Sequence, residues 1–427
     1  MKIEKEATHV ADFDVIVAGG GVSGVAAAVS ASRLGKKVLL IEKSMKLGGL
    51  ATSGLVNLFV PMCNGRGKQI IFGMAEELLR LSLKYGYDSL PDAFENGVIS
   101  KARLKEYTDA GKRPPRYMSR FSSEIFALSL TELCINEGVE LLFDSMIIYA
   151  SSLGNDRKRI DGVVVENKSG TEYYSARMFV DATGDGVLLD CVKVPTVERE
   201  NFHTYYGYKI SLDSCRRALD AGDIRAVYST ISGGNASLYG TGHPKNVPLY
   251  YATSQKDVNR YIISNQLEML EKIKNDDRKS RDIAVLPGMA QFRTVRRIDG
   301  DYVLTEDDEY RHFEDSVGAI CDFDRRDYLF EIPFRALVRK EYGNIIAAGR
   351  LAAGEGYAWD VIRVIPPAII TGQAAGVACS HAIDENSAIS DINIAWLQRE
   401  LENQNVIIHF DDEDVPEISE NIHEYND

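Results

Sequence analysis

The sequence predicts an α/β protein: a parallel sheet with a β-meander and helices on its faces, plus an inserted α+β domain. Three observations lead there. First, a buried strand, a glycine-rich turn, a helix and a second buried strand follow one another over residues 13–42, which is the pattern of a βαβ unit. Second, glycines also follow other strand-like runs, at 48–49, 184–186 and 349. Third, the stretch from about 190 to 290 changes character, with many tyrosines and loop-like runs such as ISGGNASLYGTGHP.

Taken in order, Phe13 to Ala18 (FDVIVA) is uniformly apolar, as a strand covered on both faces should be. Val22 to Leu34 is rich in small residues that let a helix lie close to a sheet, and Gly35 is placed to end it. Lys37 to Glu42 (KVLLIE) is the second strand. Residues 70–85 carry helical periodicity and stop at Gly86, whereas the basic run KRPPRYMSR within 89–120 reads as loop. A helix is expected over 122–137, with Ser122 or Ser123 as its cap and Gly138 as its stop, followed by the strand VELLFD. A hairpin should turn at Lys168–Gly170 and end in the buried strand MFVDAT. Asn344 to Ala348 (NIIAA) is another buried strand, and Pro366 to Ile383 a long apolar helix, with proline expected at its first position. From Phe410 the chain is acidic and reads as a solvated extension.

Composition narrows the function classes. The 427 residues are 45% hydrophobic and 26% charged, as in globular proteins. A net charge of −14 opposes nonspecific binding to nucleic acid. The first residues lack an apolar h-region, so no secretory signal is expected, and the location expected is cytoplasmic. Cys63, Cys134, Cys191, Cys215, Cys321 and Cys379 form no CxxC pair, so neither zinc nor an iron–sulfur cluster has its usual spacing, and no metal is expected. Val364 to Ser380 is uncharged but contains Pro366, Pro367, Gly372, Gln373 and Gly376; it reads as a buried helix, not an integral membrane segment.

The turn Gly19-x-Gly21-x-x-Gly24 matches GxGxxG between a strand and a helix. Its glycines permit a tight turn, close approach of backbone to a pyrophosphate, and close helix–strand packing. Glu42 ends the next strand at the distance expected of a carboxylate that accepts from ribose hydroxyls. Four glycine-bearing strand ends suit a long dinucleotide such as FAD better than NAD.

The segments DVIVAGGGVSGVAAAVSASRLGKKVLLIEKSMKLGGLATSG, GVVVENKSG with FVDATGDG, RTVRRIDGDYVLTEDD, and NIIAAGR with RVIPPAIITGQAAGVA resemble those of FAD-dependent oxidoreductases of the glutathione-reductase-like flavoprotein fold, and more distantly the fumarate reductase and succinate dehydrogenase flavoproteins. The resemblance implies a Rossmann-like FAD-binding domain assembled from 11–60, 120–190 and 340–395, a helical cap segment over 61–119, an inserted substrate domain over 191–339 and an acidic extension over 396–427. It further implies that Gly19, Gly21, Val22, Ser23 and Gly24 hold the pyrophosphate and that Glu42, with Lys43 beside it, takes the adenosine ribose. Gly49, Ala51 and Thr52 would run beside the pyrophosphate and flavin, and Met146 would touch adenine through its backbone. Gly184 and Asp185 would lie near the adenosine and diphosphate, and Gly349 and Arg350 on the ribityl side. The helix carrying Pro367 and Ala368 would face the flavin pyrimidine ring. The stretch after AGR reads LAAGEGYAWDVI and lacks the histidine many members carry there.

Arg363, Tyr357, Trp359 and Asp360 precede that helix and are the candidates to border the reacting ring; Arg363 is either a substrate anchor or one half of an ion pair. Arg293, Arg296 and Arg297 read chiefly as structural, as do His203 and, as an inert thiol, Cys63. The function expected is an FAD-dependent oxidoreductase that moves hydride between a small polar organic molecule and noncovalently bound flavin. The alternative is a flavin-binding subunit whose FAD is structural or non-redox. A second copy of the chain or an electron-transfer protein remains open as a partner.

Overall fold

A seven-stranded sheet organises the larger of two compact units. The computed structural model describes residues 5–152 and 158–416; the part of the expected acidic extension beyond 416 lies outside them. Within the described residues the first unit holds residues up to 52, 57–197 and 296–416, and the second holds 53–56 and 198–295. The inserted part is close to the 190–290 stretch that changes character in composition, and shorter than the 191–339 that the resemblance implies.

The sheet strands are β1 (Thr8–Ala18), β2 (Val38–Ile41), β3 (Glu140–Leu142), β4 (Met146–Ser152), β5 (Ile160–Asn167), β6 (Gly170–Asp181) and β7 (Ile345–Ala347). Their order is β3-β2-β1-β6-β5-β4, with β7 paired to the C-terminal end of β6 on the edge away from β1. The β3, β2, β1, β6 and β7 pairings are parallel, while β4, β5 and β6 form an antiparallel meander. The long β6 serves both halves: Gly170 to Ser175 pairs with β5, and Phe179 to Asp181 pairs with β7. Val15, Ile16, Val17 and Ala18 are fully buried, as their uniform apolarity requires. β1 starts five residues earlier than its apolar run, because the mostly exposed Thr8 to Asp12 extend it along β6.

Helices α1 (Val22–Arg33), α2 (Ser123–Asn136), α3 (Gly356–Ile362), α4 (Ile365–Asp384) and α5 (Ile394–Asn403) belong to the same unit. Ser122 caps α2, accepting from the Ile125 amide. The α4 helix begins at Ile365, so its prolines occupy the second and third positions instead of the first. It is buried from Ile365 to Ile383. No single helix among the described residues is long and apolar enough to cross a membrane.

α4 packs on α1 with almost no side chain between them. A Cβ on Gly372 would lie 2.1 Å from the Ser23 carbonyl oxygen, and one on Gly376 would lie 2.2 Å from that of Ala27. Both obstacles are backbone, so no rotamer change could relieve the overlap.

The acidic extension expected over 396–427 begins as a packed segment, and Phe410, from which the chain is expected to be solvated, is itself buried. Leu397, Leu401, Val406, Ile408 and Phe410 are buried. The Ala319 amide donates to Ile407 (2.7 Å) and Ser316 Oγ to Ile408 (2.7 Å), fixing this segment beside the hairpin Ser316–Cys321 and Leu329–Pro333. The acidic residues masked an apolar set at helical and then alternating spacing.

The second unit is α+β. Thr204–Ser211 is the central strand of three, between Ser229–Asn235 and Arg281–Val285, and helix Gln255–Ile273 accompanies them. Its aromatic core includes Tyr205, Tyr250, Tyr261 and Phe292. His203 is buried there, bonded to Tyr250 Oη (2.8 Å) and Glu268 (3.0 Å), and Arg293 donates to the Ser237 carbonyl (2.7 Å).

Gly376→Val should force α1 and α4 apart and destabilise the first unit by about 3 kcal/mol, toward the upper end of overpacking costs. Denaturant unfolding of the purified variant checks this; an unchanged midpoint would show that the helices are not in backbone contact.

Candidate functional site

Four strand ends meet at the N-terminus of α1. The β1 end supplies Gly19, whose φ is 95° and whose Cβ, if present, would lie 2.6 Å from Thr183 Cα in the turn after β6. The turn after β2 supplies Gly48 and Gly49: Gly48 donates to the Gly20 carbonyl (2.7 Å), and a Cβ on Gly49 would be 3.2 Å from Gly21 Cα. The β7 end supplies Gly349, whose Cβ would lie 2.5 Å from Ser23 Oγ and whose amide donates to Thr371 Oγ1 (2.8 Å). Gly24 locks the junction, since a Cβ there would be 1.8 Å from the Gly19 carbonyl oxygen.

One glycine of the turn is different. Gly21, at the cap position of α1, has φ −65° and ψ 175°, which any residue adopts. A Cβ built on it would approach only the Ala182 oxygen, at 4.0 Å. No side chain caps α1. The helix therefore presents first-turn amides and its positive dipole end above a bare Cα with open space over it. This cradle fits a phosphate group.

The charged side chains around it are ordered. Glu42 is buried, its Oε2 accepting from the Gly20 amide (2.7 Å) and its Oε1 from the Ser44 amide (2.8 Å). It thus fixes the turn itself, and each carboxylate oxygen keeps a lone pair for a further donor. Arg350 is buried; it donates to the Gly184 carbonyl (2.6 Å) and pairs with Asp185 (2.9 Å), which also pairs with Lys43 (2.8 Å). Burial opposes ionisation of Asp185, but Arg350 and Lys43 outweigh it and hold the carboxyl below its usual range. Burial lowers the Arg350 guanidinium, and Asp185 opposes that.

The remaining expected cofactor residues are placed as follows. Ala51 and Thr52 are buried, and Thr52 Oγ1 donates to the Leu47 carbonyl. Met146 is the exposed first residue of β4. Pro367 and Ala368 lie in the first turn of α4, where Ala368 donates to Val364 (3.0 Å). Because Pro366 and Pro367 have no N–H, Ile365 is the one residue of the first three that offers an amide.

The four candidates before α4 hold protein partners. Arg363 Nε and Nη2 donate to Asp360 Oδ1 (2.8 and 2.6 Å), both side chains being largely buried. Tyr357 Oη donates to Asp322 (2.7 Å), and Trp359 Nε1 donates to the Arg350 carbonyl (2.9 Å). Arg297 stacks over Trp359 with its centre 5.9 Å from the ring, while Arg296 reaches Asp190 at 3.6 Å. Cys63 is buried, which pushes its thiol pKa up, and its sulfur accepts from the Tyr117 amide (2.9 Å).

Sequence reasoning missed two buried carboxylates. Asp181, at the end of β6, accepts from Thr183 N (3.0 Å), Thr183 Oγ1 (2.7 Å) and Leu189 N (2.9 Å), and so shapes the ATGDG turn. Asp322 holds Tyr357 and Arg325 Nε (2.9 Å). The first was legible as an aspartate closing an apolar strand; the second lies in CDFDRRD, whose five charges read as a surface loop.

The profile of the FAD-dependent oxidoreductase family matches residues 14–205 and 250–401. The chain belongs to this family. A thioredoxin reductase of Ureaplasma parvum is 27% identical over 96 residues, which are 22% of this chain and 31% of that protein. The chain thus spans about a third of the curated relative it matches. Among solved structures, similarity extends to a p-nitrophenol 4-monooxygenase from Pseudomonas putida (12% identity, 92% of this chain and 81% of that one, TM-score 0.42). It extends also to a geranylgeranyl bacteriochlorophyll reductase-like protein from Thermoplasma acidophilum (13%, 94% and 94%, TM-score 0.40). Family membership makes FAD the cofactor, and the cradle at Gly21 accommodates its diphosphate chemistry.

Gly21→Val separates cradle from fold. Its side chain meets open space in the protein but enters the phosphate position. The expected result is an apoprotein of unchanged melting temperature that binds FAD at least a hundredfold more weakly, about 3 kcal/mol. Titration of apoprotein with FAD, beside a melting curve, checks both halves.

Proposed function

We propose that this FAD-dependent oxidoreductase moves hydride between a small polar organic substrate and noncovalently bound flavin. The observation that carries the reading is the meeting of four glycine-bearing strand ends at one uncapped helix N-terminus. FAD, when bound, exchanges hydride at its central ring nitrogen and gathers negative charge on its pyrimidine side.

The chain's own residues divide the remaining work. The amides of Val22 and Ser23 and the bare Gly21 receive the diphosphate. The spare lone pairs of Glu42 accept from ribose hydroxyls, with Lys43 beside them and the Met146 backbone toward adenine. Gly49, Ala51 and Thr52 wall one side, and Gly184, Asp185, Gly349 and Arg350 the other. α4 contributes its dipole, worth ~0.3–1 kcal/mol at an exposed end and more when buried, rather than a row of amides.

The corner between α3 and α4 keeps water from the reacting ring and holds its shape through the Arg363–Asp360, Tyr357–Asp322 and Trp359–Arg350 bonds. Arg363 acts there as a positioning residue, because its guanidinium is already paired with Asp360. The β-meander supports the glutathione-reductase-like branch of flavoprotein folds. The thioredoxin reductase likeness is not extended to disulfide reduction, because no CxxC pair is present to carry it. Six free thiols fit a reducing compartment such as the cytoplasm.

Heat or acid should release FAD from the precipitated protein, identified by mass spectrometry, and anaerobic addition of a suitable organic donor or reductant should bleach its absorbance. Recovery of NAD alone would contradict the cofactor reading; a bound flavin inert to every reductant would favour a structural role. Arg363→Lys keeps the charge but loses the planar fork. It should lower the melting temperature, with FAD occupancy retained; normal melting with lost substrate binding would identify substrate as the partner instead.

A further inference from the structure

On the larger unit, two histidines converge on one carboxylate that the flavin chemistry does not use. Glu331 lies in the strand Leu329–Pro333 and its carboxylate is fully buried. His312 precedes the partner strand Ser316–Cys321, and His409 lies in the C-terminal segment fixed beside that strand. His312 Nδ1 is 2.5 Å from Glu331 Oε1; His409 Nδ1 is 3.0 Å from both oxygens. One donor atom from each residue lies within 4.8 Å of the other two. We propose that His312, Glu331 and His409 form a binding site for a divalent cation of the zinc type.

Three features point to a cation. The donor set, two imidazoles and a carboxylate, is that of three-ligand zinc sites, in which solvent completes the tetrahedron. Tetrahedral zinc with Zn–N of ~2.0–2.1 Å spaces its ligand atoms ~3.3 Å apart, so small outward movements of the two half-exposed rings would admit it. When zinc displaces the proton between His312 Nδ1 and Glu331, the remaining N–H of the ring lies on Nε2, which faces Asp412 Oδ1 at 3.1 Å. A carboxylate on the far ring nitrogen orients a ligating histidine and strengthens it as a donor. Glu331 is in turn held by the Phe313 amide, which donates to Oε2 (2.8 Å), and His312 stacks on Phe410 with ring centres 4.3 Å apart.

The consequence is structural. His409 follows Ile407 and Ile408, the residues bonded to the Ser316–Cys321 strand. A cation shared with Glu331 and His312 would clip the C-terminal segment to the hairpin. Such a clip binds the folded chain selectively and so raises its stability as free metal rises.

The test uses flavin-loaded full-length protein, stripped with a chelator and equilibrated with buffered free Zn²⁺ up to the micromolar range. Bound zinc is measured by elemental mass spectrometry and melting is followed in the same samples. The expected result is one saturable zinc per chain and a melting temperature that rises with zinc. His312→Ala and His409→Ala, both at half-exposed positions, should each bind at least tenfold more weakly and lose the thermal shift; Asp412→Asn should weaken binding by about tenfold. No zinc uptake by the parent protein at micromolar free metal would overturn the proposal. So would equal uptake and an equal thermal shift in the double histidine variant.

Discussion

The contact on which this architecture rests is one between backbones. α1 and α4 meet where Gly372 and Gly376 bring one helix against the carbonyls of Ser23 and Ala27. Gly24 brings the start of α1 equally close to Gly19. These contacts leave the first turn of α1 no freedom to shift along the sheet, and the site is built on that turn. A phosphate cradle needs amides in fixed positions, because preorganised donors need not be reordered when the ligand arrives. The glycines are thus of two kinds: those that close the packing, where any side chain overlaps backbone, and Gly21, where a side chain would meet only space.

Electrostatics around the cradle follow from the same geometry. With α1 uncapped, the site carries the positive end of a helix, and Arg350, Asp185 and Lys43 form an alternating chain beside it with a net charge of plus one. Arg350 is tolerable in a buried position because it has both a carboxylate and a backbone carbonyl as acceptors. Glu42 follows the same rule: its two backbone donors compensate its burial, and in exchange it fixes the turn on which the amides stand. Beside the ribose contact proposed for it, this carboxylate is a structural staple.

Much of this was legible in the chain. From the end of β1 through α1 and β2 the chain could be read nearly to the residue, because uniform apolar runs, a glycine turn and a stop glycine coincide there, whereas the start of β1 at Thr8 carries no apolar signal. The Ser122 cap and the hairpin turn at Lys168–Gly170 carry equally local signals. What could not be read depends on long-range pairing. The hairpin Ser316–Cys321 and Leu329–Pro333 is buried on both faces and so shows no alternation, and the charged turn between its strands looks like surface although Asp322 and Arg325 are buried. Phe410 looked like the start of a solvated tail because the acidic residues after it hide its kinship with the buried Val406 and Ile408. Of the site, the glycine turns that come together at α1 stood out in the sequence, but the partners of Arg363 and Tyr357 did not: Asp360 is a near neighbour in sequence, Asp322 is distant, and nothing in spacing distinguishes a substrate anchor from an ion pair. The cluster of His312, Glu331 and His409 is spread over about a hundred residues and has no sequence spacing at all.

The central claim is that the first turn of α1, above Gly21, carries the diphosphate of FAD. A crystal structure of the flavin-loaded protein tests it most directly. The expected result is diphosphate density over Gly21 within hydrogen-bond distance of the Val22 and Ser23 amides, with ribose oxygens against Glu42. A diphosphate bound elsewhere, with those amides turned to solvent or to another protein group, would contradict it.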